Sequence, residues 1–412
     1  MSASGVNPFV NQEIFANKKV HLGVCGSVAC YKAAELLRLL RKIGVSVSVT
    51  LTEAAKKFIS PALFASLGAD PVYDKLFDDE DIFAHLRPGQ AADAFVVAPA
   101  TANILAKMTA GIADDTLSCQ LLAYNKPVLI APAMNPRMLA HPATKANIRL
   151  LHQRGYRIIE SAEGETACGE SGKGRLAEIE EIFLNILKAL SPKDLSGKKV
   201  LVTLGPTREY WDGVRFISNP SSGKMGAALA TAAWLRGAFV TAIVGPCADI
   251  FLPAGVYKLE VESAEEMLAE AEAAWPDADY GIFSAAVCDF APEERMTNEK
   301  IPKSAAPSAI KIKRTPDIIG TLAAGKSAEQ KVLGFAAQIA ASDDELRDLA
   351  LAKLRAKNMD LIAANRVDGE EGAFGADESA LLVWDQSGRT ESWPRQSKAA
   401  SAWDLCSWLL EI

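Results

Sequence analysis

Short unbroken apolar runs alternate along this chain with longer stretches in which apolar positions recur every three or four residues. The first half has apolar runs at 20–25, 45–51, 94–98, 127–131 and 156–159, which predict buried strands, and helical patterns at 29–42, 102–110, 114–124 and 143–154. The second half repeats the scheme, with strands at 199–204, 238–244, 257–261, 280–286, 331–336 and 360–364 and helices at 224–236, 263–274, 316–324, 343–357 and 397–410. Strand–helix alternation of this kind predicts an α/β protein with doubly wound, mostly parallel sheets and helices on both faces. Near the end, Ala380-Leu-Leu-Val-Trp-Asp385 and Arg389-Thr-Glu-Ser-Trp393 flank Gln386-Ser-Gly388, a hairpin signal that adds an antiparallel edge. Residues 291–315, with Pro292, Pro302 and Pro307 among many charges, read as a long loop of a kind that is often functional.

The pattern restarts in mid-chain. Lys18-Lys-Val-His-Leu-Gly-Val-Cys-Gly26 opens the first half and Lys198-Lys-Val-Leu-Val-Thr-Leu-Gly205 the second, each a buried-strand run ending in a Gly turn. The polar segment Ser191-Pro-Lys-Asp-Leu-Ser-Gly197 between them marks the boundary, giving domains at 1–190 and 191–412. A chain of 412 residues accommodates two such domains, each large enough for its own core. The net charge of −7 argues against a nucleic-acid surface. No apolar run reaches the roughly 18 residues of a membrane span, and Met1 to Asn17 lacks the basic-then-apolar order of a secretory signal. The seven cysteines include no C-x-x-C pair and fit a reducing cytoplasm; the four histidines are scattered and form no metal-ligand cluster with them.

The most informative stretch is Asn219-Pro-Ser-Ser-Gly-Lys-Met-Gly226, between a strand and a helix. Free backbone N–H groups, the positive end of a helix dipole and the Lys224 ammonium make it an anion site. It is not a P-loop: Ser218 stands where the first Gly is required, and Met225 where Ser or Thr must follow Lys. In the first half, Gly23-Val-Cys-Gly-Ser-Val28, Ala98-Pro-Ala-Thr-Ala-Asn103 and Ala131-Pro-Ala-Met-Asn-Pro-Arg-Met138 put small polar groups at three strand carboxyl ends. Open α/β sheets bind ligands at that edge. Cys168 stands in the Gly-rich stretch Glu165-Thr-Ala-Cys-Gly-Glu-Ser-Gly-Lys-Gly-Arg175, near Lys173 and Arg175, a setting in which a thiol becomes reactive.

Taken in order, Gly26-Ser-Val-Ala-Cys-Tyr-Lys32, His85, Ala98-Pro-Ala-Thr101, Pro132-Ala-Met-Asn135 and Ala167-Cys-Gly169 resemble the flavin-dependent cysteine decarboxylases. Asn219-Pro-Ser-Ser-Gly-Lys-Met-Gly226 and Ala285-Ala-Val-Cys-Asp-Phe290 resemble the phosphopantothenate–cysteine ligases. The fusion, spanning residues 18 to 410, resembles the bacterial bifunctional enzymes of coenzyme A biosynthesis. The resemblance implies a flavodoxin-like domain followed by a Rossmann-like one. It also implies two reactions: CTP-dependent ligation of 4′-phosphopantothenate to cysteine through an acyl-cytidylate, and FMN-dependent decarboxylation of the product to 4′-phosphopantetheine.

By the same resemblance, Gly26, Ser27, Thr52, Ala100 and Thr101 touch FMN, His85 serves the oxidative decarboxylation, Asn135 holds the substrate carboxylate and Cys168 donates the last proton. Asn219 contacts the activated carboxylate, Ser221 and Ser222 belong to the phosphate loop, Asp289 holds the ribose, and Ala286 with Phe335-Ala-Ala337 frames the base. Lys224 is assigned to the phosphates from its charge. Pro302 interrupts the family's Lys-x-Lys-Lys pattern, so Lys300 and Lys303 are both candidates for the triphosphate, with Lys300 preferred. Mg2+ is expected with the nucleotide rather than in a protein cage. The family forms homo-oligomers, trimers of the flavin domain and dimers of the ligase domain, in the cytoplasm. Two other classes fit these residues less well. An NAD(P)-linked oxidoreductase needs a ribose-binding acid after its second strand, where Thr50-Leu-Thr52 stands; a non-catalytic regulatory flavoprotein typically lacks the His or the Cys, and both are present.

Overall fold

The computed structural model describes residues 7–76, 82–248, 250–305, 307–366 and 375–412; residues 1–6, at the head of the segment read as carrying no secretory signal, lie outside them. The chain divides into two compact units, one holding Gln12–Ser191 and the other Pro192–Ile412 together with Asn7–Asn11. Among the described residues no helix is long and apolar enough to cross a membrane.

The first unit is built on β1 (Lys19–Val24), β2 (Ser46–Leu51), β3 (Val72–Tyr73), β4 (Ala94–Ala100), β5 (Val128–Pro132) and β6 (Arg157–Ile158), all parallel, in the order β3-β2-β1-β4-β5-β6. Without the two-residue β3, the order is that of flavodoxin-like folds, with the direction of winding reversing between β1 and β4. Every residue of β4 is buried, as an unbroken apolar run in a doubly covered strand requires. The helices are α1 (Tyr31–Lys42), α2 (Pro61–Ser66), α3 (Arg87–Ala91), α4 (Ala102–Ala110), α5 (Thr116–Ala123), α6 (Pro136–Ala140), α7 (Pro142–Gln153) and α8 (Ile179–Leu190). On α1, Ala33, Leu36, Leu37 and Leu40 form the buried stripe, while Ile104, Leu105, Leu117, Leu121 and Leu151 from α4, α5 and α7 pack with Phe95, Val97 and Ile130.

The short elements β3, α2, α3 and α6 are absent from the sequence reading, and so are two larger features. One is α8, whose Ile182, Phe183, Ile186 and Leu187 are buried at helical spacing. The other is a hairpin of β7 (Ala162–Glu165) and β8 (Ser171–Arg175), where only a Gly-rich loop was expected. Its glycines hide the strand pattern yet permit the docking. A Cβ on Gly174 would lie 2.4 Å from the Met134 carbonyl oxygen, and Gly164 and Gly172 have φ of +145° and +149°.

The second unit has β9 (Lys199–Leu204), β10 (Arg208–Tyr210), β11 (Phe216–Ser218), β12 (Phe239–Val244), β13 (Tyr257–Glu260), β14 (Tyr280–Phe283), β15 (Phe290–Pro292), β16 (Ile312–Arg314), β17 (Lys331–Gln338), β18 (Leu361–Arg366), β19 (Glu378–Asp385) and β20 (Thr390–Ser397). Its main sheet runs β13-β12-β9-β14-β17-β18-β19-β20, a Rossmann order extended by the expected antiparallel pair β19–β20. Its helices are α9 (Lys224–Leu235), α10 (Ala264–Ala274), α11 (Ile318–Ala324), α12 (Asp343–Ala356) and α13 (Lys398–Glu411). Residues Gly226 to Leu235 of α9 are all buried, because α9 packs on β9 on one side and on α13 on the other. Segment 291–315 is not simply a loop: β15 pairs antiparallel with β16, so the ends of the arm are tied together. The run predicted as a strand at 280–286 leaves the sheet after Phe283, and residues 284–289 turn into the cleft described below.

Gly226 lets α9 lie against the sheet. A Cβ there would stand 2.3 Å from the Leu204 Cβ and 2.4 Å from the Ser284 Oγ. Gly226→Ala is therefore expected to destabilise the second unit by about 1–3 kcal/mol through overpacking, read as a lower denaturation midpoint of a Pro192–Ile412 fragment.

Candidate functional site

Each unit has a cleft at the carboxyl ends of its parallel strands, where the winding reverses. The first, of about 640 Å3, is lined by Gly26, Ser27, Thr52, Thr101, Met134 and Met138 among others. Three short hydroxyl side chains shape its polar rim by capping backbone turns. Ser27 Oγ accepts from the Ala29 amide at 3.4 Å, Thr52 Oγ1 from Ala55 at 3.2 Å, and Thr101 Oγ1 from Ile104 at 3.5 Å. Gly26 lets the turns after β1 and β2 abut, since a Cβ there would lie 2.4 Å from that of Ala54. Ala100 is fully buried and supports the wall without lining it. Lys107, the cation on the lining, is paired with Asp114 at 2.5 Å and Asp115 at 2.6 Å. Helix-start amides beside apolar Met134, Met138 and Ala133 suit a ligand with a phosphate at one end and a flat ring at the other, as a flavin mononucleotide has.

Beside this cleft the hairpin carries Cys168 to Asn135. The Met134 amide donates to the Gly174 carbonyl at 2.9 Å, which docks β8 against the loop before α6. Asn135 caps α6 by accepting from the Arg137 amide at 2.8 Å. Its Nδ2 donates to Cys168 Sγ at 3.2 Å and to Glu170 Oε2 at 3.1 Å, and Arg137 pairs with Glu170 at 3.0 Å. The Cys168 thiol is exposed and its pKa lies below the ordinary range. The hydrogen bond with Thr166, at 3.1 Å, is the main cause, followed by the Glu170 amide and by Asn135. The sequence reading placed Lys173 and Arg175 in this role. They are instead engaged by carboxylates, Lys173 with Glu160 and Arg175 with Glu178.

His85 is half-buried in the turn before α3, its ring 6.5 Å from that of Phe83, and it does not line the cleft. The structure thus brings Asn135 and Cys168 together, and among the described residues no hydrogen bond joins His85 to either.

The second cleft, of about 710 Å3, opens between the ends of β9, β14 and β17. Asn219, Ser221, Ser222, Lys224, Ala286, Asp289 and Phe335 all line it. Asn219 Nδ2 donates to the carbonyls of Val287 at 2.9 Å and Ala286 at 3.3 Å, tying the phosphate loop to the chain after β14. Gly223, with φ of +73°, turns the loop into α9, and no side chain caps that helix start. Phe335 and Ala337 share the cleft face of β17, while alternation along the strand sends Ala336 into the core.

Lys300 and Lys303 are exposed on the arm, and neither lines the cleft. The cations on its lining are Lys224, Arg314, Lys353, Lys357 and Lys398. Lys224 meets Asp377 at 2.6 Å and the Gly375 carbonyl at 2.8 Å. Lys353 donates to the Phe335 carbonyl at 2.8 Å, and Lys357 to Asp317 at 2.8 Å. Burial lowers the pKa of Lys353, with the Lys357 charge adding to it; burial, with the Lys224 charge, brings that of Lys398 down to about 8. Sequence reading missed these three. Lys353 and Lys357 fall on a helix rich in charge, where they read as a solvated face, and Lys398 has no motif around it.

Two sheet-end clefts on separately wound units, one suited to a flavin and one crowded with phosphate-type donors, define a two-domain flavoprotein enzyme. Models of the Flavoprotein family and of the DNA/pantothenate metabolism flavoprotein C-terminal domain match residues 11–191 and 195–412. The coenzyme A biosynthesis bifunctional protein CoaBC of Bacillus subtilis is 40% identical over 395 residues, 94% of this chain and 96% of its own. That of Mycolicibacterium smegmatis is 40% identical over 399 residues, again 94% and 96%. Among solved structures, the C-terminal domain of a CoaBC protein covers 53% of this chain and 97% of its own at 32% identity and a TM-score of 0.44. A PPC decarboxylase mutant complexed with pantothenoylaminoethenethiol covers 41% and 96% at 27% identity and 0.37. The chain belongs to the family of bifunctional coenzyme A biosynthesis proteins. It joins a decarboxylase and a ligase in one polypeptide.

Because Asn135 stabilises the thiolate, Asn135→Ala should raise the pKa of Cys168. Thiolate ultraviolet absorbance against pH, with Cys168→Ser as the blank, measures it; an unmoved titration would mean that Thr166 and the Glu170 amide suffice.

Proposed function

We propose that the second half ligates 4′-phosphopantothenate to cysteine with CTP, through an acyl-cytidylate, and that the first half decarboxylates the product to 4′-phosphopantetheine with FMN. The observation that carries the reading is the pair of clefts: a hydrogen-bonded Asn135–Cys168 couple beside one, and an uncapped helix start ringed by lysines in the other.

Activating a carboxylate with a nucleotide builds charge on the phosphates, so preorganised cations and amides do the catalytic work. In the proposal Ser221, Ser222 and the first amides of α9 receive the phosphates, with Lys224, Lys353, Lys357 and Lys398 around them. Asn219 orients the substrate carboxylate, Asp289 takes the ribose hydroxyls, and Mg2+ arrives on the nucleotide. Phe335 and the backbone near Ala286 frame the base; a wall of small residues and carbonyls favours a pyrimidine. Lys300 and Lys303 reach the triphosphate from the arm.

In the first half, FMN, when bound, supplies the electron sink that loss of CO2 from a cysteine carboxylate demands. Asn135 holds that carboxylate: the Glu170 carboxylate already occupies its amide and stands in for the substrate's. The Cys168 thiol, made more acidic by its hydrogen bonds, delivers the final proton, and His85 serves the earlier step. Exposed apolar residues on each half, Val28, Tyr31 and Phe58 on one and Phe216, Ile217 and Ile312 on the other, support assembly as trimers of the first domain and dimers of the second.

Parallel assays with CTP and ATP test the ligase reading. CMP and pyrophosphate are the expected products, and preferential AMP formation would make the enzyme ATP-dependent. Lys300→Gln should lower this half-reaction on the order of 100-fold while leaving decarboxylation of supplied phosphopantothenoylcysteine intact. An unaffected variant would assign the phosphates to the lysines on the cleft lining instead.

Lys398 also predicts a pH dependence. Its pKa of about 8 means that it is charged below that pH and loses its charge as pH rises through it. Lys224 and Asp377 face it and act in opposite directions on that pKa. Equilibrium binding of CTP should therefore weaken above about pH 8, and Lys398→Met should weaken binding at lower pH and flatten that inflection.

A further inference from the structure

The interior of the first unit holds a polar chain that no step above uses. His21, Thr50 and Gln120 are each fully buried. His21 lies opposite Ser48 in the β1–β2 register, so its ring sits between Ser48 and Thr50, two residues apart on one face of β2. His21 Nδ1 is 2.7 Å from Ser48 Oγ and Nε2 is 2.9 Å from Thr50 Oγ1. Thr50 Oγ1 is 2.6 Å from Gln120 Oε1, and Gln120 Nε2 is 2.9 Å from the carbonyl oxygen of Ala84. Ala84 is buried and immediately precedes His85.

The proton positions in this chain follow from its end. A carbonyl only accepts, so Gln120 must turn its NH2 group to Ala84 and its Oε1 to Thr50. Thr50 then spends its single hydroxyl proton on Gln120 and must accept from His21 Nε2–H. Burial lowers the pKa of His21 to about 3, so the ring is neutral and Nδ1 accepts from Ser48. Four hydrogen bonds thus run in one sense from β2 through β1 and α5 to the Ala84 carbonyl. Within the chain no link can reverse without leaving a buried donor or acceptor unpaired. Filling the core does not require this: an apolar residue at position 21 would pack against Phe95, whose ring lies edge-on at 4.6 Å, without any of these constraints.

We propose that His21, Thr50 and Gln120 are positioning residues for His85, holding from the sheet interior the carbonyl on which its turn is anchored. In the turn itself the Leu86 and Arg87 amides close on the Phe83 carbonyl at 2.8 Å and 3.2 Å, and the His85 ring is half-buried. The inference rests on the reading of His85 as a residue of the decarboxylation.

The test uses the full-length FMN-loaded protein with Thr50→Val, Thr50→Ser, Gln120→Met and His85→Asn. The two near-isosteric apolar variants interrupt the chain at different links, so either one that folds decides. The expected result is a CO2-release rate at saturating substrate lowered on the order of 10- to 100-fold in Thr50→Val and Gln120→Met, with KM and flavin content unchanged. Thr50→Ser, which keeps the hydroxyl, should restore the rate. Hydrogen exchange of the Leu86 and Arg87 amides should accelerate in the two slow variants and not in Thr50→Ser. Normal CO2 release in those variants, with His85→Asn blocked, would overturn the positioning role alone. Undiminished release from His85→Asn would remove the reading of His85 and the inference with it.

Discussion

Everything functional in this protein hangs on where a doubly covered parallel sheet changes its direction of winding. A strand buried on both faces leaves its chain no exit except over one face or the other. In each unit successive connections go one way from the first strand and then the other way from the fourth. Between β1 and β4, and between β9 and β14, the carboxyl ends therefore face a gap that no connection crosses. Both clefts lie there. The same covalent logic, applied twice, yields two sites of different chemistry because the turns filling the gaps differ.

Those turns work by close approach. Gly26, Gly174 and Gly226 each stand where a Cβ would fall well inside contact distance of backbone or neighbouring side chain. The helix starts and the hairpin are consequently pressed against strand ends, so backbone amides, caps and the Asn135–Cys168 pair occupy places that a bulkier chain would fill. Small residues here exchange packing for access.

Electrostatics separates the two clefts further. In the first, Lys107 is neutralised by Asp114 and Asp115, so polar character comes from amides and hydroxyls. In the second, several lysines converge, and burial weakens the hold of Lys353 and Lys398 on their protons. A crowded, partly dehydrated set of cations is poorly solvated until a polyanion arrives, which is the condition under which charge stabilisation in a reaction is strongest.

Much of this architecture was legible along the chain. Unbroken apolar runs, their alternation with helical patterns, the mid-chain restart and the closing hairpin are local properties, set by burial on one or two faces and by turn chemistry. The Asn219 loop was legible for the same reason: a strand, a Ser/Gly/Lys turn and a helix start are consecutive in sequence. The β7–β8 hairpin was not, because its glycines suppress any strand signal and its pairing depends on docking against residues near 135. Nor were Lys353, Lys357 and Lys398, since charged residues on helices look alike until a fold shows which ones lose their water. The meeting of Asn135 with Cys168, and the run of hydrogen bonds from His21 to Ala84, join residues far apart in the chain. Only the tertiary structure decides such contacts, because they depend on which strand ends and helix faces are brought side by side.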